Sequence, residues 1–202
     1  VMITADSLFP LCAAESSPRT AEQVARLNRG LFQILRIIGN MSDAERCAAV
    51  SHQETADIPA LFAEFFEKAE TLVSHTGITL TYEGPDQPIY GLADREQLER
   101  AVLNILSNAI KFTPAGGEIT IRASMDKDWL TVSFTDTGIG MTPEVKQRVF
   151  DKFYQGDTSH KKKGNGLGLA LVHQIVTLYG GHITLESIPD LGSTFTVCLP
   201  AH

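Results

Sequence analysis

The 202-residue sequence predicts an α+β fold: a two-layer α/β sandwich in which a mixed, mostly antiparallel sheet packs on three helices, preceded by an amphipathic hairpin-type helix. Three observations lead there. Windows at about 58–74, 94–111 and 166–179 repeat apolar residues at helical spacing. Between and after them, windows such as 118–125 and 129–136 alternate apolar and polar residues, as half-buried strands do. Hydrophobic residues make up 43% of the chain and charged ones 20%, a balance that can bury a core.

The elements follow in order. Residues 1–19, with Pro10 and Pro18, read as a frayed lead. Thr20 and Gln23 offer a helix cap, after which Val24, Leu27, Leu31, Ile34, Ile38 and Met41 recur at spacings of 3 and 4, a heptad seam. Such a seam either lies on its own domain or pairs with another helix. Residues 42–57 are polar and irregular and read as a linker, so the chain divides into 1–57 and 58–202. The helix at 58–74 carries Leu61, Phe62, Phe65, Phe66, Ala69 and Leu72 on one face. Ile78–Tyr82 alternates as a strand, Gly84-Pro85-Asp86 turns the chain, and a brief strand follows at Ile89-Tyr90. Asp94 to Gln97 is a capping-box start, and Thr113-Pro114-Ala115-Gly116-Gly117 stops the helix it opens. Strands at 118–125 and 129–136 come next, then a Gly- and Lys-rich segment over 137–165, the third helix, and strands near 181–188 and 193–199.

The net charge of −7 argues against a diffuse nucleic-acid binder. Apolar runs fall far short of the roughly 20 residues that cross a bilayer, and no basic-then-apolar leader opens the sequence. Cys12, Cys47 and Cys198 have neither metal-ligand nor disulfide-framework spacing, which fits a reduced, cytoplasmic compartment.

Four clusters carry chemistry. Asn104 and Asn108 stand four apart on one helix face, with Lys111 three further on; amides can ligate a hard cation or bind a neighbouring loop, and lysine can meet phosphate. Asp136-Thr137-Gly138-Ile139-Gly140 ends a strand, where a carboxylate can accept from an exocyclic amine and glycines allow close approach. Gly164-Asn165-Gly166-Leu167-Gly168 opens a helix whose N–H groups can hold phosphate, with Lys161, Lys162 and Lys163 just upstream. Gly192-Ser193-Thr194-Phe195 turns into the last strand and means little alone.

In this order the motifs resemble the catalytic, ATP-binding domain of sensor histidine kinases, within the ATPase superfamily that includes gyrase, the heat-shock chaperone and the mismatch-repair ATPases. Residues 94–111 resemble its N box, 136–140 its first glycine box, Phe150-Asp151-Lys152-Phe153 its F box, 164–168 its second glycine box and 192–195 its third. The resemblance is dense over 78–200 and looser over 20–77, which looks like the second helix of a dimerisation hairpin plus its linker. It implies ATP and Mg as ligands. Asn108 is then the metal ligand, with Asn104 beside it and Lys111 on a phosphate. Asp136 accepts from the adenine amine against a wall shaped by Gly138 and Gly140. Gly164, Gly166, Leu167 and Gly168 offer backbone donors to phosphate, and Thr194 stands near the adenine. Phe150, Phe153 and Tyr154 anchor a mobile lid over about 155–165.

Two departures from the pattern matter. Hydrolysing members carry a Glu four residues before the metal-binding Asn, whereas this chain has Asn104, which cannot act as a base; kinase chemistry is implied, with Asn104 and Lys111 at its centre. The family's acceptor motif, His-Glu-x-x-x-Pro on the first hairpin helix, has no counterpart, and Ser51-His52-Gln53-Glu54 lies after the seam rather than before it. The expectation is a histidine kinase domain that binds ATP, homodimerises through its hairpin in the intact protein, serves a response-regulator receiver domain, and does not phosphorylate itself as given. A serine kinase of the anti-sigma factor type and a nucleotide-free pseudokinase scaffold are the rival readings.

Overall fold

The computed structural model describes residues 54–73, 76–85, 87–126, 128–155 and 166–200. The heptad segment 20–41, His52, the lysines at 161–163 and Gly164 lie outside the described residues. In chain order the elements are β1 (Glu54–Asp57), α1 (Ile58–Val73), β2 (Thr79–Glu83), β3 (Tyr90–Ala93), α2 (Arg95–Phe112), β4 (Glu118–Asp126), β5 (Trp129–Asp136), α3 (Pro143–Arg148), α4 (Gly168–Leu178), β6 (His182–Ile188) and β7 (Gly192–Pro200). Five strands form one sheet in the order β2-β4-β5-β7-β6. Only β2 and β4 run parallel; the other three pairings are antiparallel, as the sequence led us to expect.

Alternation explains why a single helical layer suffices. On β5, Leu130, Val132 and Phe134 are buried while Thr131, Ser133 and Thr135 face outward. The same alternation on β4 and β7 turns Thr120, Ser124, Thr194 and Thr196 to that outer face, which is polar and needs no second layer. Inward, Ile119, Ile121, Val132 and Phe134 meet Phe65 of α1, Ile105 and Leu106 of α2, and Val172, Ile175 and Val176 of α4. Each large side chain so buried contributes about 1.5–3 kcal/mol. Ion pairs Lys68–Glu99 and Arg95–Glu64 join α1 to α2 at the surface, where they add little.

Two features were not foreseen. Residues 54–57, read as the end of a polar linker, form β1 and pair antiparallel with β3, Glu54 opposite Ala93 and Asp57 opposite Tyr90. Backbone pairing needs no apolar alternation, and this strand is exposed to half-buried throughout. The short α3 buries no residue, so it carried no periodic signal; its Thr142 cap and Pro143 at the first turn were the only marks.

The start of α2 modifies the expected capping box. Asp94 Oδ1 accepts from the N–H groups of Glu96 (3.1 Å) and Gln97 (3.2 Å). The reciprocal half is replaced: the Asp94 N–H donates to Tyr179 Oη at 2.7 Å, and Gln97 Oε1 is buried without a partner among the described residues. Tyr179 thereby fastens the C-terminal end of α4 to the N-terminal end of α2, and the two helices pack side by side and antiparallel. The opposite ends of α2 and α4 therefore share the other pole with the end of β5.

Candidate functional site

At that pole, the last turns of α2 present the amide-and-lysine face. Asn104 is 1% exposed, and its Nδ2 donates back to the Arg100 carbonyl at 2.9 Å. Asn108, one turn on, is half-buried. Lys111 sits in the final turn with Nζ 4.6 Å from the Phe112 ring centroid, favourably placed at the negative end of the helix. Asn104 thus belongs to the floor and Asn108 and Lys111 to the rim.

The wall beside them is the end of β5. The alternation that buries Val132 and Phe134 also buries Asp136, now 6% exposed. Burial pushes its carboxyl above the usual carboxylate range, and N–H donors from Gly138 and Ser193 oppose that shift. The Gly138 N–H reaches Asp136 Oδ1 at 2.8 Å. A side chain on Gly138 would strike that oxygen and the Phe112 carbonyl, each 2.7 Å from where its Cβ would stand. Gly140 has φ +62°, and a Cβ there would lie 1.9 Å from the Ile188 carbonyl oxygen. The loop is further pinned by Ile139 N–H to Phe112 O (3.2 Å) and Asp190 N–H to Ile139 O (2.8 Å). Gly138 and Gly140 are therefore required by the protein's own packing, which holds Asp136 in place.

The third side is the start of α4. Leu167 is its cap residue but gives no side-chain cap, so the amides of the first turn point along the axis without one. Gly166 accepts from the Phe153 N–H at 2.8 Å, tying the second glycine box to the F box. Phe150 packs edge-on against Phe195 (6.4 Å between centroids) and tilts over His173 (5.7 Å), and Arg148 lies 4.3 Å from the Tyr154 ring. Phe153, expected as an anchor, is instead 72% exposed at φ 65° and takes part through its backbone. Gly164 and the rest of 156–165 lie outside the described residues.

Thr194 is not on the Asp136 wall. It pairs across the ladder with Thr135 on the outer face, its Oγ1 3.1 Å from Thr135 Oγ1. Strand alternation gives the inner position to Ser193, directly opposite Asp136 and 6% exposed. Motif spacing alone does not single out Ser193. Counting inward positions back from Phe195 and Val197 would have found it.

A family model described as "Histidine kinase-, DNA gyrase B-, and HSP90-like ATPase" matches residues 93–202, which contain every residue of this pole. The chain belongs to that family. Within this ATPase family its curated relatives include the circadian input-output histidine kinase CikA of Thermosynechococcus vestitus, 36% identical over 175 residues that cover 85% of this chain and 24% of that protein. The sensor-like histidine kinase SenX3 of Mycobacterium tuberculosis is 29% identical over 190 residues, covering 93% of this chain and 46% of that protein. Among solved structures, full-length ShkA in complex with AMPPNP aligns with a TM-score of 0.72 at 25% identity, over 93% of this chain and 40% of that one. The mycobacterial sensor histidine kinase MprB aligns at 0.64 and 28% identity, over 74% of this chain and 98% of that one. The chain thus spans a quarter to about half of these two curated relatives. Its ATPase-family fold is the α+β sandwich described above, and no described helix is long and apolar enough to cross a membrane.

Proposed function

We propose that this chain is the ATP-binding, phosphoryl-donating domain of a two-component histidine kinase. The reading is carried by one observation: the amide-and-lysine face of α2, the buried Asp136 and the start of α4, whose cap residue makes no side-chain cap bond, converge on one pole. Asp136 accepts from the adenine amine, the amides at the start of α4 hold phosphate, and Lys111 balances phosphate charge. Asn108 supplies an amide oxygen for Mg. An ion held by that one amide oxygen would take its other oxygens from phosphates and water. The ion's contribution would be to neutralise charge developing on the transferred group. Asn104, buried and bonded to its own helix, has no basic lone pair to activate water, and this supports transfer to a protein histidine over hydrolysis. The phosphohistidine would then serve an Asp on a receiver domain. The intact protein would be a cytoplasmic kinase region that dimerises through the segment containing 20–41.

Incubating the chain with Mg and radiolabelled ATP, alone and with a separate helical hairpin bearing an acceptor histidine, tests this. Acid-labile label is expected on the added hairpin and not on the chain. No ATP binding would remove the reading, and label on the chain that disappears in His52→Gln would make His52 the acceptor.

A further inference from the structure

Behind Ser193 stands a second buried hydroxyl, Ser187 on β6, 9% exposed and its ladder partner. Ser187 Oγ lies 3.0 Å from the Gly192 carbonyl oxygen and 3.0 Å from Ser193 Oγ. A carbonyl can only accept, and a serine hydroxyl has one proton. Both contacts are hydrogen bonds only if Ser187 donates to Gly192 and Ser193 donates to Ser187. That spends the proton of Ser193 away from the site. What Ser193 can present beside Asp136 is then lone pairs alone, next to a carboxylate that also only accepts.

We infer that Ser187 is a specificity-determining positioning residue: by taking the Ser193 proton, it turns the base wall into two adjacent acceptors that select a purine bearing an exocyclic amine and reject a 6-oxo purine. The inference rests on the proposed nucleotide reading and deepens it. An exocyclic amine carries two N–H donors, which match two acceptors. An exocyclic carbonyl oxygen at the same place meets lone pairs on both sides and leaves buried acceptors unpaired, the situation that gives polar sites their strongest discrimination. The device is set well inside the fold. The Ser187 carbonyl accepts from Lys146 Nζ at 3.3 Å, and the turn after it carries Asp190, whose N–H holds the Ile139 carbonyl.

The test is the ratio of ATP to ITP affinity, measured by calorimetry in Mg buffer on the full chain, for the parent, Ser187→Ala and Ser187→Thr. ITP differs from ATP by carrying an exocyclic oxygen in place of the amine and, with it, a proton on the adjacent ring nitrogen N1. The parent is expected to prefer ATP. In Ser187→Ala the Ser193 proton is released and can donate to the oxo group, so the ratio should fall about 3- to 10-fold, the scale of one hydrogen bond. Ser187→Thr keeps the hydroxyl and should restore the parent ratio. Circular dichroism and melting confirm that each variant is folded, and Ser187→Thr carries the test if the alanine variant is not. Equal weakening of ATP and ITP, an unchanged ratio in Ser187→Ala, or a lost preference in a folded Ser187→Thr would overturn the role of Ser187 alone. A parent that binds neither nucleotide would overturn the nucleotide reading as well.

Discussion

Replacing Asp136 with Asn should separate what the residue does for ATP from what it costs the fold. The carboxyl is held above its ordinary range by burial, so the native chain keeps this proton to higher pH than the unfolded chain does. The sign follows from that difference. The contribution of Asp136 to stability is greatest below the unfolded value and declines as pH rises through the window up to the raised native value. At neutral pH the neutral isostere should melt at or above the parent, and its advantage should shrink on acidification. A melting-temperature difference that stays constant from pH 7 down to about pH 4 would contradict this. ATP affinity should move the other way, falling about 10- to 100-fold in the variant, as a hydrogen bond to a charged group is worth roughly 1.5–3 kcal/mol. In the parent, ATP binding should weaken as pH drops through the raised value, because a protonated Asp136 no longer offers two acceptors. At the rim, Asn108→Ala should leave the fold intact and remove the Mg dependence of ATP binding. Titrations at fixed ATP with and without Mg would show it, and a variant that keeps the full Mg effect would take the metal away from Asn108.

Helix α2 connects a capped, structural pole to the candidate site, and its two ends can be perturbed independently. Asp94→Ala deletes the acceptor for two orphan N–H groups and should cost about 1 kcal/mol of stability. Fourteen residues of helix, ~21 Å, separate it from Asn108, so nucleotide affinity of the folded variant should be unchanged. Chemical denaturation paired with calorimetry reads both, and a coupled loss of affinity would argue against separate poles. The elements with strong periodicity were legible in the sequence: the α2 range differs from its expectation by a residue at each end, and β5 occupies 129–136 as expected. What escaped was held by other means. β1 is a matter of backbone pairing, α3 is a single capped turn and a half with no buried face, and Tyr179 displaced the expected Gln97 half of the cap box through a contact 85 residues away in sequence. In the candidate site, motif spacing singled out Asn108 and Lys111 near the end of α2 and Asp136 at the end of β5, and the fold brings these two ends to one pole. The spacing also marked Thr194, which stands on the outer face opposite Thr135 with Ser193 opposite Asp136, because spacing marks a turn while strand parity decides which of two adjacent hydroxyls faces inward.

At the scale of the whole molecule, the domain boundary drawn at 57/58 can be tested with the strand that ends at it and pairs across it with β3. A chain trimmed to begin at Glu54 retains the β1–β3 ribbon, and one trimmed to begin at Ile58 loses its first strand while keeping the Ile58 N–H to Ile89 O bond. The longer version should melt higher, with equal ATP affinity; identical melting would place the boundary at 58. Saturating ATP should raise the melting point of either, by the equivalent of about 2.7 kcal/mol at a hundredfold excess over the dissociation constant. The pinned loop from Asp136 to Gly140 has a last consequence, for chemistry aimed at this fold. If this loop is the proposed base wall, its bonds to Phe112 and Asp190 and its close packing against the Ile188 carbonyl hold it in one shape, so a small heteroaromatic amine would pay little of the reorganisation that usually weakens minimal ligands. Fragment screening should therefore start at Asp136, where a molecule of a dozen atoms can reach high efficiency per atom without touching a phosphate-binding group.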